Sequence, residues 1–435
     1  MSGAGAGVSP GAPRGAGKAR ASRAPWVTLG IVVTLAAAVL AVWFAGPGGS
    51  PGSSSAGSAS TAPSTTSSAG PAASSSPTTE PTPTSSSQAA DPWAGWTLAQ
   101  QVGQVFMVGV NVSEPDAVST AAVRDDHVGN VFLQGRTTAG ADAVRSLVRS
   151  FTDLVGPQTT HGTILLVATD QEGGEVQVLR GPGFSTIPSA LEQSKLSSSE
   201  VQARALTWGT ELRDAGVNLD LAPVMDLVDG EASANPPIGA LDRSYGFTAD
   251  SVTSHAEAFS AGMNAARVSV SIKHFPGLGR VTANTDTTAG VTDDVTTRDD
   301  ASVDVFRSGI AAGAQSVMVS TADYSRIDPG VPAAFSSTVV TDMLRGDLGF
   351  DGLVVTDDLS GAKQVEAWSP GERAIKALAA GVDLVLMSKD PEVTHEAVQA
   401  VLAEAQADPA FATRVRDAAR HVLEAKGAWP PPRSS

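Results

Sequence analysis

From Asp91 onward, short runs rich in β-branched residues alternate with longer amphipathic stretches, and this alternation constrains the fold more than any other feature. The runs fall at residues 102–110, 129–134, 163–170, 217–226, 268–274, 316–321, 352–357 and 382–387. Helical candidates lie between them, for example at 141–154, 198–215, 249–266 and 370–380. Strands that alternate with helices imply a parallel sheet with helical crossovers. Eight such units over roughly 340 residues suit an α/β fold of the (β/α)8 TIM-barrel type. An open, doubly wound sheet is the alternative. It would place a Gly-rich phosphate turn after its first strand, and residues 109–112 carry none. The expectation is therefore one barrel domain over residues 91–430.

The first 90 residues are of another kind. A basic cluster, Arg14, Lys18, Arg20 and Arg23, precedes an uncharged apolar run at 26–45 bracketed by Trp26 and Trp43. About 20 apolar residues cross a bilayer as a helix, and basic residues before it hold the N-terminus in the cytoplasm. The expectation is a cytoplasmic tail at 1–25 and a transmembrane signal anchor at 26–45. That topology puts a single-pass protein in the cell membrane with its barrel extracytoplasmic. A cleaved signal peptide is the other reading, and the barrel would then be secreted. Residues 46–90 are almost entirely Ser, Pro, Thr, Ala and Gly, too poor in apolar groups to offset the entropy of ordering, so they read as a disordered linker. The sequence has no Cys, which excludes a lipidated Cys anchor and disulfides. A net charge of −16 argues against a nucleic-acid partner, because phosphate binding needs clustered cations.

In a barrel of this kind the chemistry sits at the C-terminal ends of the strands. Ionisable residues gather at four of those ends: Asp170-Gln-Glu172, Asp226, Lys273-His274 and Asp357-Asp358. A carboxylate at a barrel mouth can attack an anomeric carbon; either Asp357 or Asp358 could equally cap the next helix. Lys273 and His274 can donate hydrogen bonds to sugar hydroxyls, or can be a solvated Lys and a core-edge His. Asp170 is followed by Gly173 and Gly174, which fits a ligand contact or a simple Asx turn. Residues 235–244, Asn-Pro-Pro-Ile-Gly and then Asp-Arg-Ser, form a loop that presents Arg243.

Taken together, these segments resemble glycoside hydrolase family 3, in particular its single-barrel β-N-acetylglucosaminidases that act on peptidoglycan fragments. The resemblance runs from about residue 97 to 422. It is carried by Asp170-Gln-Glu-Gly-Gly174, Asn218-Leu-Asp-Leu-Ala-Pro-Val-Met-Asp226, Asp242-Arg-Ser244, Lys273-His-Phe-Pro-Gly277 and Gly349-Phe-Asp-Gly-Leu-Val-Val-Thr-Asp-Asp-Leu359. It implies Asp357 as nucleophile and Asp170, Arg243, Lys273 and His274 as contacts to the sugar. The chain also departs from the family. Where relatives continue Pro-Gly-His-Gly and then Asp-Ser-His, this chain has Leu278 and Asn284-Thr285-Asp286. Asp286 thus stands where the family's acid/base His would be, and Asn284 where its orienting Asp would be. Glu175 and Val178 also replace family Arg residues.

The implied activity is that of a retaining exo-β-N-acetylglucosaminidase that releases terminal N-acetylglucosamine from cell-wall glycans through a covalent intermediate. It requires no cofactor or metal. The alternatives are a sugar-binding protein that has lost catalysis, for which the altered triplet is the argument, or another β-glycosidase of the family such as a β-glucosidase.

Overall fold

The computed structural model describes residues 93–113 and 116–427; the apolar run 26–45 and the linker 46–90 lie outside the described residues. Among the described residues no helix is long and apolar enough to cross a membrane. Eight barrel strands follow in chain order: β1 Phe106–Asn111, β2 Asn130–Gln134, β3 Leu166–Thr169, β4 Leu219–Asp220, β5 Ser269–Phe275, β6 Ser316–Val319, β7 Leu353–Thr356 and β8 Val385–Met387. They form one sheet in the order β7-β6-β5-β4-β3-β2-β1-β8, with every pairing parallel. The seam between β7 and β8 is joined by a parallel bridge, Val355 to Leu384, with Thr356 N donating to Leu384 O at 3.0 Å. The result is a nearly closed (β/α)8 barrel.

Helices cover the outside: α1 Ala117–Arg124, α2 Ala141–Thr152, α3 Ser198–Asp214, α4 Ala249–Ala265, α5 Ala301–Ala311, α6 Thr338–Asp347 (a π-helix), α7 Pro370–Ala380, α8 Thr394–Ala407 and α9 Pro409–Ala425. Their starts are written locally. Ser197 with Glu200 and Ser369 with Glu372 make reciprocal capping boxes, and Pro370 takes the first helical position, where its missing N–H is not needed.

Alternate strand residues supply two cores. Met107, Phe132, Leu166, Ala168, Met318, Leu353, Val355 and Leu386 form one apolar cluster. Their neighbours Val108, Val131, Leu133, Val167, Val317, Val354 and Val385 belong to the other, which includes the helix residues. Phe132, Met318 and Leu386 also line a cavity at the strand ends, so the first cluster fills the barrel and the second seals strands to helices. The upper layer of the inner core is thus the floor of the site.

Two expected boundaries need correction. Residues 102–104 are not strand: a helix, Leu98–Gln104, begins at a capping box of Thr97 and Gln100, and β1 starts only at Phe106. The ten-residue strand expected at 217–226 pairs regularly only at Leu219–Asp220. Pro223 has no N–H to give a ladder. Pairing resumes beyond it, with Val224 bridged to Lys273 and Met225 N donating to Lys273 O at 2.6 Å, and this carries Asp226 to the barrel mouth.

Candidate active site

All six residues singled out from the sequence, Asp170, Arg243, Lys273, His274, Asp286 and Asp357, line one cavity of about 410 Å³ at the C-terminal ends of the strands. Phe132, Leu221, Met318 and Leu386 form its apolar floor, and Leu278, Asp358, Ser388 and Lys389 complete part of the wall.

One side of the cavity is an ion cluster that neighbours in sequence do not reveal. Glu172 receives Arg243 bidentately, Nε at 2.8 Å and Nη2 at 2.7 Å, and also Lys273 Nζ at 2.6 Å. Lys273 Nζ donates to Asp170 Oδ1 at 2.6 Å as well. Burial alone would favour neutral Glu172, but the charges of Arg243 and Lys273 outweigh it and hold its carboxyl down to about 2. Burial likewise works against the Lys273 ammonium, and Asp170 and Glu172 more than restore it, to about 12. Both cations are therefore fixed and charged, with Asp170 still partly open to the cavity (28 % of its side chain). Gly173 lets the chain turn back immediately after these carboxylates: its φ is +106°, and a Cβ there would lie 2.2 Å from Pro188 O.

His274 is oriented by a second buried carboxylate. Its Nδ1 lies 2.7 Å from Asp226 Oδ2, while Asp226 Oδ1 accepts the backbone N–H of His274 at 3.0 Å and of Leu278 at 2.7 Å. With Nδ1 committed to Asp226, Nε2 is the nitrogen left for the cavity that His274 lines.

The adjacent carboxylates after β7 have different roles. Asp358 is used up by the loops: Oδ1 accepts Ser360 N at 3.1 Å, Ser360 Oγ at 2.6 Å and Ser388 N at 2.7 Å, and Oδ2 accepts Gly361 N at 2.8 Å. Asp357 accepts only the N–H of Asp358, at 2.8 Å, and otherwise faces the cavity. Burial, joined by the charge of Asp358, raises its pKa above the ordinary carboxylate value, opposed by His274, by the Asp358 N–H and by Lys273. The helix-cap reading is corrected: neither residue caps a helix, because α7 starts at Pro370 under Ser369.

Asp286 lies across the cavity. Burial first, then the charges of Asp357 and Asp358, push its carboxyl up to about 6. Asn284 does not orient that carboxyl; its Oδ1 accepts the backbone N–H of Asp286 at 2.7 Å and so shapes the turn. Among the described residues no set of three or more His, Asp or Glu side chains converges in the manner of a metal site.

Residues 97–425 match the family model of the glycosyl hydrolase family 3 N terminal domain. The chain belongs to glycoside hydrolase family 3. Within the family, the chain is 32% identical over 308 residues to a Beta-hexosaminidase of Stenotrophomonas maltophilia, an alignment covering 68% of this chain and 87% of that protein. A solved Beta-N-acetylhexosaminidase from Beutenbergia cavernae is 61% identical with a TM-score of 0.76, covering 76% of this chain and 98% of that one. A family 3 beta-N-acetylglucosaminidase from Paenibacillus sp. is 30% identical with a TM-score of 0.69, covering 76% of this chain and 63% of that one.

Several residues that shape this family 3 site carried no role in the sequence reading. Glu172 and Asp226 were visible as strand-end carboxylates, but their partners lie 71 and 48 residues away in the chain. Only the fold brings those pairs together.

Proposed function

We propose that this glycoside hydrolase is a retaining exo-β-N-acetylglucosaminidase, with Asp357 as nucleophile and Asp286 as general acid/base. The observation that carries this reading is the unequal pair of carboxyls across one cavity. Burial and the charge of Asp358 raise the pKa of Asp357, but a backbone donor and the charges of His274 and Lys273 work to keep it ionised. Asp286 has burial and two neighbouring negative charges against ionisation. On the difference in hydrogen-bond partners, the shared proton of the coupled pair is assigned to Asp286 and the charge to Asp357.

The chemistry follows from that arrangement. The Asp357 carboxylate attacks the anomeric carbon while the Asp286 carboxyl gives its proton to the departing glycosidic oxygen, and a glycosyl ester forms. Asp286, now ionised, takes a proton from water as its oxygen attacks the same carbon, and Asp357 leaves as a carboxylate. Positive charge developing on the sugar ring meets a cavity wall rich in carboxylates. Arg243 and Lys273, locked by Glu172, supply donors for hydroxyl groups, Asp170 an acceptor, and His274 Nε2 a further polar contact. The relatives named as a Beta-N-acetylhexosaminidase and a beta-N-acetylglucosaminidase support terminal N-acetylglucosamine as the sugar released; cell-wall glycans as its source are inferred from the family resemblance.

The placement of this domain is part of the same reading. The uncharged run 26–45 behind four cations supports a signal anchor, and the composition of 46–90 supports a flexible tether, so that the barrel at 91–430 works outside the cytoplasm at the membrane. Protease shaving of intact cells should remove the barrel and leave the N-terminal tail protected.

The direct test measures hydrolysis of 4-nitrophenyl N-acetyl-β-glucosaminide and of the corresponding glucoside by residues 91–435. Turnover of the first, abolished by Asp357→Ala, supports the assignment. Binding of N-acetylglucosamine without turnover of either substrate would overturn it in favour of a sugar-binding protein. Turnover of the glucoside alone would make the chain a β-glucosidase.

A further inference from the structure

The loop that carries Asp286 leaves β5 and returns to the small strand Thr292–Asp293, and it is held near its start, at Thr285-Asp286 and at its end. Near its start, Asn235 Nδ2 donates to Leu278 O at 2.8 Å and to Val281 O at 2.9 Å, fixing residues 278–281 to the β4 side of the barrel. Beyond Asp286, residues 287–290 are exposed and pack against little. The loop is caught again at Val291 by a side chain from the nucleophile's own loop.

That side chain is Gln364, buried at 6 % exposure and seven positions after Asp357. Its Oε1 accepts Val291 N at 2.7 Å, and its Nε2 donates to Val291 O at 3.2 Å and to Asp323 Oδ1 at 3.5 Å. Its own backbone N–H donates to Thr285 O at 3.0 Å, and the preceding Lys363 N to Asp286 O at 3.4 Å. One short stretch, Lys363-Gln364, therefore touches the acid/base residue, the residue before it and the end of its loop. A side-chain amide is suited to this, because it offers one acceptor and one donor to the N–H and C=O of a single residue, as a strand partner would.

We propose that Gln364 is a positioning residue for general acid/base catalysis: through its side-chain clamp on Val291 it sets where the Asp286 carboxyl stands relative to Asp357. The inference rests on the assignment of Asp286 above. Retaining chemistry requires the two carboxyls to sit about 5–5.5 Å apart. The elements that carry them have no regular pairing over residues 276–291, so this spacing depends on loop contacts: Lys363 N and Lys389 Nζ meet Asp286 O at 3.4 Å, and Gln364 holds the residue before it and the end of its loop. Asn235 holds the opposite end and cannot by itself orient a segment whose residues 287–290 lie in solvent.

The test compares kcat/KM for an activated aryl glycoside, 2,4-dinitrophenyl N-acetyl-β-glucosaminide, with that for N,N′-diacetylchitobiose, whose leaving alcohol needs a proton. Gln364→Ala should lose about 10- to 100-fold on the disaccharide, the scale of a misplaced proton donor, and remain within about threefold of wild type on the aryl substrate. Gln364→Glu preserves shape and the acceptor for Val291 N but gives Val291 O no donor until it is protonated. Its disaccharide activity relative to wild type should therefore rise as the pH falls. In the Asp286→Ala background, adding Gln364→Ala should cost nothing further on either substrate, because one residue acts through the other.

Equal losses on both substrates, or losses that add in the double variant, would reduce Gln364 to a structural residue and overturn the proposal while leaving Asp286 in place. If Asp286→Ala itself shows no dependence on the leaving group, the acid/base assignment falls and this proposal falls with it. Thermal melting of each variant separates loss of fold from loss of position.

Discussion

As the proposed acid/base residue, Asp286 occupies a position that works against stability. Its carboxyl is pushed up to about 6 by burial and by Asp357 and Asp358, so the folded protein resists its ionisation. The folded value lies above the ordinary Asp value near 4, so the charge imposes no cost in acid and a growing one as the pH rises towards about 6. The proposed mechanism needs Asp286 protonated and Asp357 ionised. We expect a bell-shaped kcat/KM whose alkaline limb falls at about pH 6. Asp286→Asn should lose most activity on poor leaving groups, lose that limb, and melt at a higher temperature than wild type at neutral pH but not in acid. A variant that melts lower at neutral pH would show that the charge is stabilised by contacts other than those described.

At the scale of elements, the loop that carries Asp286 depends on a glycine at its root. A Cβ at Gly279 would stand 1.9 Å from the carbonyl oxygen of Leu227, a backbone atom that cannot step aside. Gly279→Ala should cost about 1–3 kcal/mol of stability, the usual range for overpacking, and lower kcat more than it raises KM because the loop must move. Urea unfolding together with steady-state kinetics would separate the two effects. The eight strands were legible in the sequence because parallel barrel strands, buried on both sides, read as continuous β-branched runs. Their ends were less so. The helix before β1 overlapped, at residues 102–104, the start of the run read as a strand, although Thr97 and Gln100 have the spacing of a capping box, and Pro223 divided a strand whose apolar residues continue on both sides of it. The site divides in the same way. Asp170, Arg243, Lys273, His274, Asp286 and Asp357 were legible as ionisable groups at strand ends or as matches to a family pattern. The clamps that fix them, Glu172, Asp226 and Gln364, act across 48 to 73 residues of chain, and no local spacing encodes such pairings.

For the whole molecule, the decisive join is the one that closes the ring. Asp383, fully buried just before β8, accepts Val354 N from β7 at 3.0 Å, Arg345 from α6, and Arg414 at 2.9 Å and His421 at 2.8 Å from α9. Burial would raise its pKa, but His421, Arg345 and Arg414 together hold it below the ordinary value. The stability it contributes is therefore present above the usual Asp range and lost as the pH falls through its lowered value. Asp383→Asn leaves two arginines poorly matched in a buried setting and should cost about 3–5 kcal/mol in chemical denaturation. Because this cluster sits at the opposite end of the barrel from the cavity, kcat/KM of the folded fraction should be unchanged.

The same closure makes neighbours of the first and last helices of the domain. Arg416 reaches Gln101 at 3.1 Å, and the buried Lys426 reaches Gln104 Oε1 at 2.7 Å and Gly129 O at 2.9 Å. A ring of eight strands has no intrinsic beginning, and the order in which the ribosome delivers them is separable from the order in which they stand. A circular permutant that links residue 427 to residue 93 through a short Gly/Ser bridge and opens at the exposed Gly313, between α5 and β6, should fold to the same barrel. If it cleaves the wild-type substrate with similar kcat/KM, the site depends only on which strands are adjacent. If it folds but is inactive, the direction of assembly matters to how the mouth is set.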